Sequence, residues 1–215
     1  MINNQKQIYF VTATNTDIGK TYACEVLLKK FAQDKKKVGY LKPFETGVID
    51  TPLDGTKLLN IAKSLNNNYN LTIDDIVPFQ FKLPASPFVA SRNDDENKLI
   101  DLDLVFQAID TALEKCDTLI IEGAGGLYVP ILQDYFIIDL IKEIQDRYQS
   151  RTILISPSSL GSINDTLLSQ NLLKQSKIKF DWYINLYKDK DSFDKVTLPF
   201  YKQYFKEDGI KYQFI

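Results

Sequence analysis

The stretch from Ile8 to Asp34 narrows the possible folds of this chain most sharply. Ile8-Tyr9-Phe10-Val11 is short, apolar and rich in β-formers, and a loop of small and polar residues follows. Lys20 to about Asp34 then has helical spacing, with Ala23, Val26, Leu27 and Phe31 on one face. The loop itself, Thr12-Ala13-Thr14-Asn15-Thr16-Asp17-Ile18-Gly19-Lys20-Thr21, ends in Gly-Lys-Thr between a strand and a helix, the setting a phosphate loop requires. There, backbone N–H groups and a helix N-terminus concentrate positive potential on phosphate oxygens. Lys20 is expected to reach the β and γ phosphates and Thr21 to offer a hydroxyl to Mg2+. Thr14 stands where the plain motif has its first glycine, so the loop needs support from elsewhere in the chain.

The remaining sequence repeats the alternation. Val38-Gly39-Tyr40-Leu41, Thr118-Leu119-Ile120-Ile121, Thr152-Ile153-Leu154-Ile155 and Trp182-Tyr183-Ile184 read as strands, and the second of these is apolar throughout, as a strand buried on both faces must be. Gly55 to Leu65, Leu102 to Lys115, Ile137 to Tyr148 and Asp165 to Gln175 read as helices. The pattern predicts an α/β fold of the phosphate-loop NTPase type: a mostly parallel sheet with helices on both faces. No linker rich in proline or glycine divides the chain, so residues 1–215 read as one domain. Asn66-Asn67-Asn68 reads as a loop and Lys35-Lys36-Lys37 as a solvated turn.

Composition limits the chemistry. The 215 residues include no histidine and only two cysteines, Cys24 and Cys116. Triads built on His, Cys-His pairs and His-ligated zinc are therefore excluded, and two thiolates cannot complete a zinc or iron–sulfur site alone. Chemistry must run on lysine, carboxylates, hydroxyls, backbone amides or an oxygen-bound metal. The two cysteines read as small buried hydrophobes. A net charge of -2 offers no attraction to nucleic acid or membrane. The polar start does not read as a signal peptide, and no apolar run approaches the roughly 20 residues of a membrane helix. The expected location is cytoplasmic.

Two further segments supply what the loop lacks. Glu122, in Ile120-Ile121-Glu122-Gly123-Ala124-Gly125-Gly126, sits at the carboxyl end of a buried strand before a glycine-rich turn. Ligands of open parallel sheets bind at that edge, so Glu122 is a candidate for the metal and the turn for close backbone approach. Lys42, in Lys42-Pro43-Phe44-Glu45-Thr46-Gly47, follows the second strand and falls on the same edge. Asp54 is a second candidate metal carboxylate, although its place before Gly55 also suits a helix N-cap.

These segments together resemble the dethiobiotin synthetase family, whose pattern reads approximately F-V-T-G-T-[DN]-T-x-[VI]-G-K-T, then K-P-x-x-[ST]-G, then E-G-A-G-G. Pro84-Ala85-Ser86-Pro87, Leu160-Gly161-Ser162-Ile163-Asn164 and Trp182-Tyr183-Ile184-Asn185 also agree, so the resemblance runs from about Ile8 to Asn185. It implies a reaction of ATP, carbon dioxide and diaminopelargonate that gives dethiobiotin, ADP and phosphate. It implies that Lys42 is catalytic together with Lys20, and that Thr21, Asp54 and Glu122 hold Mg2+. By the same resemblance Asn15, Thr16, Asp17, Ile18, Gly19, Lys20, Thr21, Tyr22, Glu122, Gly123, Ala124, Gly125 and Asn185 contact the nucleotide, Asn185 through the base. Thr16 and Thr46 would lie near the carbamate and the substrate amines. Gly161 and Asn164 would receive the substrate carboxylate from the neighbouring subunit of a homodimer.

Departures from the family pattern gather around the base. Ala13 replaces a glycine and Asp17 the commoner glutamate. Leu186-Tyr187-Lys188 follows Asn185, and the family's late Gly-x-[IL]-Pro segment gives way to Gly209-Ile210-Lys211-Tyr212-Gln213-Phe214-Ile215. The expectation is a loosely held base, with GTP or CTP accepted. Three roles are open for the C-terminus: packing over the base, building the interface, or finishing the sheet. Three other readings compete. A partition-type or metal-insertion ATPase, acting as a nucleotide switch, would carry a signature lysine early in the loop, where Thr12 to Asp17 has none. A corrinoid-pathway amidotransferase would need a glutaminase domain with Cys and His. A nucleotide-binding domain without catalysis would have no use for Lys42.

Overall fold

The computed structural model describes residues 6–93, 99–187, 190–206 and 212–215. The chain opens with strand β1 (Gln7–Ala13), helix α1 (Lys20–Gln33), β2 (Val38–Leu41), β3 (Phe44–Thr46), α2 (Leu53–Leu65) and the single turn α3 (Ile73–Ile76). It continues with β4 (Phe79–Phe81), α4 (Pro87–Arg92), α5 (Leu102–Lys115), β5 (Thr118–Glu122), β6 (Pro130–Leu132), β7 (Tyr135–Phe136) and α6 (Ile137–Tyr148). It closes with β8 (Arg151–Pro157), α7 (Ser162–Gln175), β9 (Phe180–Asn185), α8 (Lys190–Val196), α9 (Leu198–Tyr204) and β10 (Tyr212–Phe214).

The main sheet has six strands in the order β10-β9-β8-β1-β5-β2, and every pairing in it is parallel. All residues of β2 and β5 are buried, so both faces of that half of the sheet are covered. Helix α5 covers part of it: Val105, Phe106, Ile109, Ala112 and Leu113 recur at helical spacing and are buried, and the Asp101 side chain caps the helix by accepting the Asp103 N–H at 2.9 Å. Helix α6 repeats the logic with Ile137, Ile138, Leu140, Ile141 and Ile144.

The topology creates the site. The chain runs from β1 past one position to β2, returns to fill the gap with β5, then crosses to the other side of β1 with β8. The reversal falls beside β1, where open α/β sheets bind ligands. It also brings the carboxyl ends of β1, β5 and β2 side by side, with Val11 opposite Glu122 and Leu41 opposite Ile121.

The long elements match their sequence patterns, and several boundaries move. Helix α2 begins at Leu53, with Pro52 as N-cap, so Asp54 is the second helical residue and not the cap. Helix α7 begins at Ser162, because Gly161, at φ 90, turns the chain into it earlier than the periodicity indicates. Ala13 ends β1, paired with Ile155, so its Cβ sits in extended strand and asks nothing unusual of the loop. Residues 212–214 extend the sheet in parallel with β9, one of the three roles open for the C-terminus; Lys188, Gly209, Ile210 and Lys211 lie outside the described residues. An aromatic group backs this edge, with the Trp182 ring 4.8 Å from Tyr201 and 5.1 Å from Phe205 and its indole N–H donating to Ser156 Oγ at 2.7 Å. Cys24 and Cys116 are buried and unbridged.

Candidate functional site

A cleft of about 690 Å³ opens at the carboxyl ends of β1, β2 and β5. Thr16, Asp17, Gly19, Lys20 and Thr21 of the loop line it, with Lys42, Glu45, Thr46 and Asp54, and Glu122, Gly123, Ala124 and Gly125.

The loop is bent for anions. Asp17 (φ 58) and Gly19 (φ 96) both adopt left-handed backbone. Gly19 is the N-cap of α1 and carries no side chain to cap the helix, and the first turn has no acidic residue. Its amides therefore present positive potential to the cleft. A Cβ on Gly19 would fall 2.3 Å from Asn185 Nδ2, so glycine is required there twice over, for its dihedral and for this approach. The Lys20 ammonium lies over the loop and donates to the Asn15 carbonyl at 3.1 Å. Burial pulls its pKa below that of an ordinary lysine; Glu122 opposes the shift and Lys42 adds to it.

Glu122 is the hub. Its side chain is 1 % exposed, yet three side chains from two segments bond to it. Thr21 Oγ1 donates to Oε1 at 2.8 Å, Lys42 Nζ donates to the same oxygen at 3.2 Å, and the Tyr40 hydroxyl donates to Oε2 at 2.8 Å. The Lys42 ammonium also bonds Asp54 Oδ2 at 2.6 Å and lies 3.9 Å from Glu45 Oε2. Burial works against this ammonium, but Glu122, Asp54 and Glu45 together outweigh it and hold its pKa above the ordinary lysine value. Burial likewise raises the Tyr40 phenol, with Glu122 adding to the shift.

Thr21, Glu122 and Asp54 fit a hard cation. A hydroxyl and a carboxylate oxygen stand 2.8 Å apart, and a second carboxylate meets them across one ammonium. Mg2+ is commonly held by one or two carboxylates, waters and substrate phosphates rather than by an all-protein cage. Among the described residues no group of three or more His, Cys, Asp or Glu is gathered for a metal.

The structure brings most sequence-derived candidates together and leaves some apart. Lys20, Thr21, Lys42, Asp54 and Glu122 share the cleft with Thr16, Asp17, Gly19, Thr46, Gly123, Ala124 and Gly125. Asn15 and Ile18 support the loop through their carbonyls, which accept from Lys20 and from Asn185. Asn185 ends β9 with Nδ2 bonded to Ile18 O at 2.9 Å and Oδ1 accepting the Tyr187 N–H at 3.1 Å. Tyr22 is half exposed on α1, and Gly161 and Asn164 are exposed at the start of α7; none of the three lines the cleft. Sequence reasoning passed over Tyr40 and Glu45. The signal for Tyr40 was a polar tip inside an apolar strand, and for Glu45 an acid three residues from Lys42 in a segment that turns out buried.

The chain is similar to known proteins over most of its length. Residues 7–183 match the family model described as AAA domain. The ATP-dependent dethiobiotin synthetase of Sulfurovum sp. (strain NBC37-1) is 46% identical over 197 residues, covering 91% of this chain and 90% of that protein. The enzyme of the same name from Wolinella succinogenes is 34% identical, covering 90% and 88%, and that from Methanocaldococcus jannaschii 38% identical, covering 79% and 74%. Among solved structures, a plasmid partition protein from Borrelia burgdorferi superposes with a TM-score of 0.55 at 12% identity, covering 98% of this chain and 90% of that one. The cell-division protein MinD of Aquifex aeolicus superposes with a TM-score of 0.52 at 15% identity, covering 93% and 78%. At such identities the solved structures share the phosphate-loop fold alone. The identity and coverage shared with the synthetases reach further: the chain belongs to the ATP-dependent dethiobiotin synthetase family.

Proposed function

We propose that this protein closes the cyclic urea of dethiobiotin from diaminopelargonate, carbon dioxide and ATP, in biotin synthesis. The observation that carries the reading is a second buried lysine: Lys42 faces the same cleft as Lys20 and the loop amides, held by carboxylates from two other segments. A nucleotide switch of the partition type would take its second lysine from the loop itself, where Thr12 to Asp17 has none.

One substrate amine attacks carbon dioxide, forming a C–N bond and losing a proton to solvent. A carbamate oxygen then attacks the γ-phosphorus, and the bond from that phosphorus to the β-phosphate oxygen breaks to release ADP. The second amine attacks the carbonyl carbon of the mixed anhydride and loses its proton as the C–O bond breaks and phosphate leaves. Phosphoryl transfer of this kind depends on position and charge more than on proton relay. Lys20 and the first-turn amides of α1 hold the phosphates. Lys42 offers a fixed cation to the anionic carbamate and the transferring phosphoryl group in a partly dry cleft. Thr16 and Thr46 supply hydroxyls to the carbamate and the amines. Mg2+, held by Thr21, Asp54 and Glu122, would neutralise phosphate charge when bound.

The reading includes a homodimer, in which Gly161 and Asn164, exposed at the start of α7, would meet the substrate of the neighbouring subunit. It includes base recognition by Asn185, loose enough to admit other nucleoside triphosphates. It also includes a cytoplasmic location, which two buried unbridged cysteines suit; among the described residues no helix is long and apolar enough to cross a membrane. The test is direct. The protein is incubated with diaminopelargonate, bicarbonate, Mg2+ and ATP, and dethiobiotin is detected by mass. Product formation with diamine-dependent ADP release supports the reading, and ATP hydrolysis indifferent to the diamine overturns it.

A further inference from the structure

Glu45 has no part in the roles above, yet it is a carboxylate only 7% exposed, on a three-residue strand at the cleft wall. Both of its oxygens are engaged. Oε1 accepts the Asp54 N–H at 3.0 Å and Oε2 the Gly55 N–H at 2.9 Å. These are first-turn amides of α2, whose N-cap, Pro52, brings no side-chain cap of its own. A carboxylate from elsewhere in the fold thus does the work of a helix cap, where the helix dipole favours it. A Cβ on Gly55 would approach Oε2 to 3.1 Å and Val77 Cγ2 to 2.5 Å, so the close seating depends on glycine at that position.

The consequence falls on Asp54. An aspartate in the first helical turn commonly turns its carboxylate back onto nearby backbone N–H groups. Here two of those groups are already taken by Glu45, and the Asp54 carboxylate points instead to Lys42 Nζ at 2.6 Å. The same Glu45 lies 3.9 Å from that ammonium, so it bears on both partners of the pair.

We propose that Glu45 is a positioning residue: by occupying the α2 amides it keeps the Asp54 carboxylate off the backbone and turned into the cleft, where a divalent cation bound with nucleotide takes it as a ligand. This rests on the metal assignment under the proposed function. Groups that orient a metal ligand commonly matter by roughly 10–100-fold in metal affinity.

The test titrates Mn2+ against the protein–ADP complex by electron paramagnetic resonance, with metal-free ADP affinity measured in parallel. Glu45→Gln, which turns an amide donor toward one backbone N–H, is expected to weaken Mn2+ binding by about tenfold and to leave metal-free ADP binding unchanged. Glu45→Asp keeps the charge near Lys42 but withdraws it from the amides; it is expected to weaken Mn2+ binding too, and it decides the matter if Glu45→Gln does not fold. Asp54→Asn alone should weaken Mn2+ binding, and adding Glu45→Gln to it should cost little more, because Glu45 acts through Asp54. Full additivity, or wild-type Mn2+ affinity in a folded Glu45→Gln or Glu45→Asp protein while Asp54→Asn is impaired, overturns the proposal. Wild-type affinity in Asp54→Asn overturns the metal assignment and this proposal together.

Discussion

Replacing Lys42 with methionine removes one positive charge while filling nearly the same volume, and its cost follows from the partners left behind. The ammonium bonds Asp54 at 2.6 Å and Glu122 at 3.2 Å and lies 3.9 Å from Glu45. Asp54 keeps water, its side chain being 47% exposed, and loses little. Glu122 and Glu45, at 1% and 9% side-chain exposure, would face each other's charge without the cation. Breaking a buried pair from one side costs about 3–5 kcal/mol; with Asp54 discounted and Glu122 still accepting from Thr21 and Tyr40, about 3 kcal/mol is expected. For a chain of this size each kcal/mol moves Tm by about 2–4 °C, so the ligand-free variant should melt about 6–12 °C below wild type. A divalent cation can replace the missing charge, so Mg2+ with ADP should raise the variant's Tm by more than it raises the wild type's. Turnover should fall by at least about 100-fold, the usual scale for losing one preorganised electrostatic partner, with ATP affinity changed only a few-fold. Thermal melts with and without Mg2+–ADP, calorimetric ATP binding and product formation by mass together decide it. Equal losses of turnover and ATP affinity would make Lys42 a nucleotide anchor, and an unchanged Tm would refute the buried-network argument.

Tyr40→Phe deletes the donor to Glu122 Oε2 without opening a cavity and should destabilise the protein by about 1.5–3 kcal/mol in urea unfolding; no loss would mean that Oε2 finds another donor. Lys20 must be charged to hold phosphates, and its lowered pKa means that the charge is present below the folded value and lost as pH rises through it. ATP affinity should therefore decline on the alkaline side at a lower pH than an ordinary lysine would allow, and Lys20→Arg, which stays charged, should abolish the decline; a limb that persists in the arginine variant belongs to another group. With the base pocket altered, GTP and CTP should each support turnover above about 1% of the ATP rate, a discrimination of less than roughly 3 kcal/mol; values below that for both restore strict adenine recognition.

Much of the site was legible because its main groups follow strands. Lys42 comes directly after β2 and Glu122 ends β5, and a parallel sheet carries both to the edge that the phosphate loop occupies. What escaped were residues whose role depends on tertiary placement. Tyr40 looks like one more β-former until β5 inserts beside β2 and brings Glu122 to its hydroxyl. Glu45 sits in a three-residue strand paired with another of equal length, too short for a period of two to appear. Asp54 resembled an N-cap because its type and place before a helix suit one; the cap amides were already held by Glu45 from β3. Asn185 was expected to read the base, and its carboxamide braces Ile18 O and packs against Gly19, a contact that sequence spacing could not reveal.

The lack of histidine takes on a definite meaning in this network. Glu122 is reached from Thr21, 101 residues away, from Tyr40, 82 away, and from Lys42, 80 away. The hub thus exists only once β1, β2 and β5 are aligned. Its cation and its phenol are both pushed upward, away from neutral pH: Lys42 by three carboxylates that overcome burial, Tyr40 by burial and Glu122. For Lys42 the sign is that of a cation gaining partners. Its contribution to stability is fully present below the unfolded lysine value, about 10.4, and is lost only as pH rises through the higher folded value. Burial raises Glu45, so ionised Glu45 opposes folding, and that penalty fades as pH falls through its raised folded value. An imidazole in the same place would change charge across the neutral range and alter the attraction for phosphate and metal with it. A site built from lysines, carboxylates, a phenol and backbone amides keeps Lys42 positive through the neutral range, which the proposed attack by a deprotonated substrate amine requires. On the proposed reaction, an activity limb near neutrality should track the substrate amine, carbon dioxide equilibria or Lys20, whose pKa burial lowers.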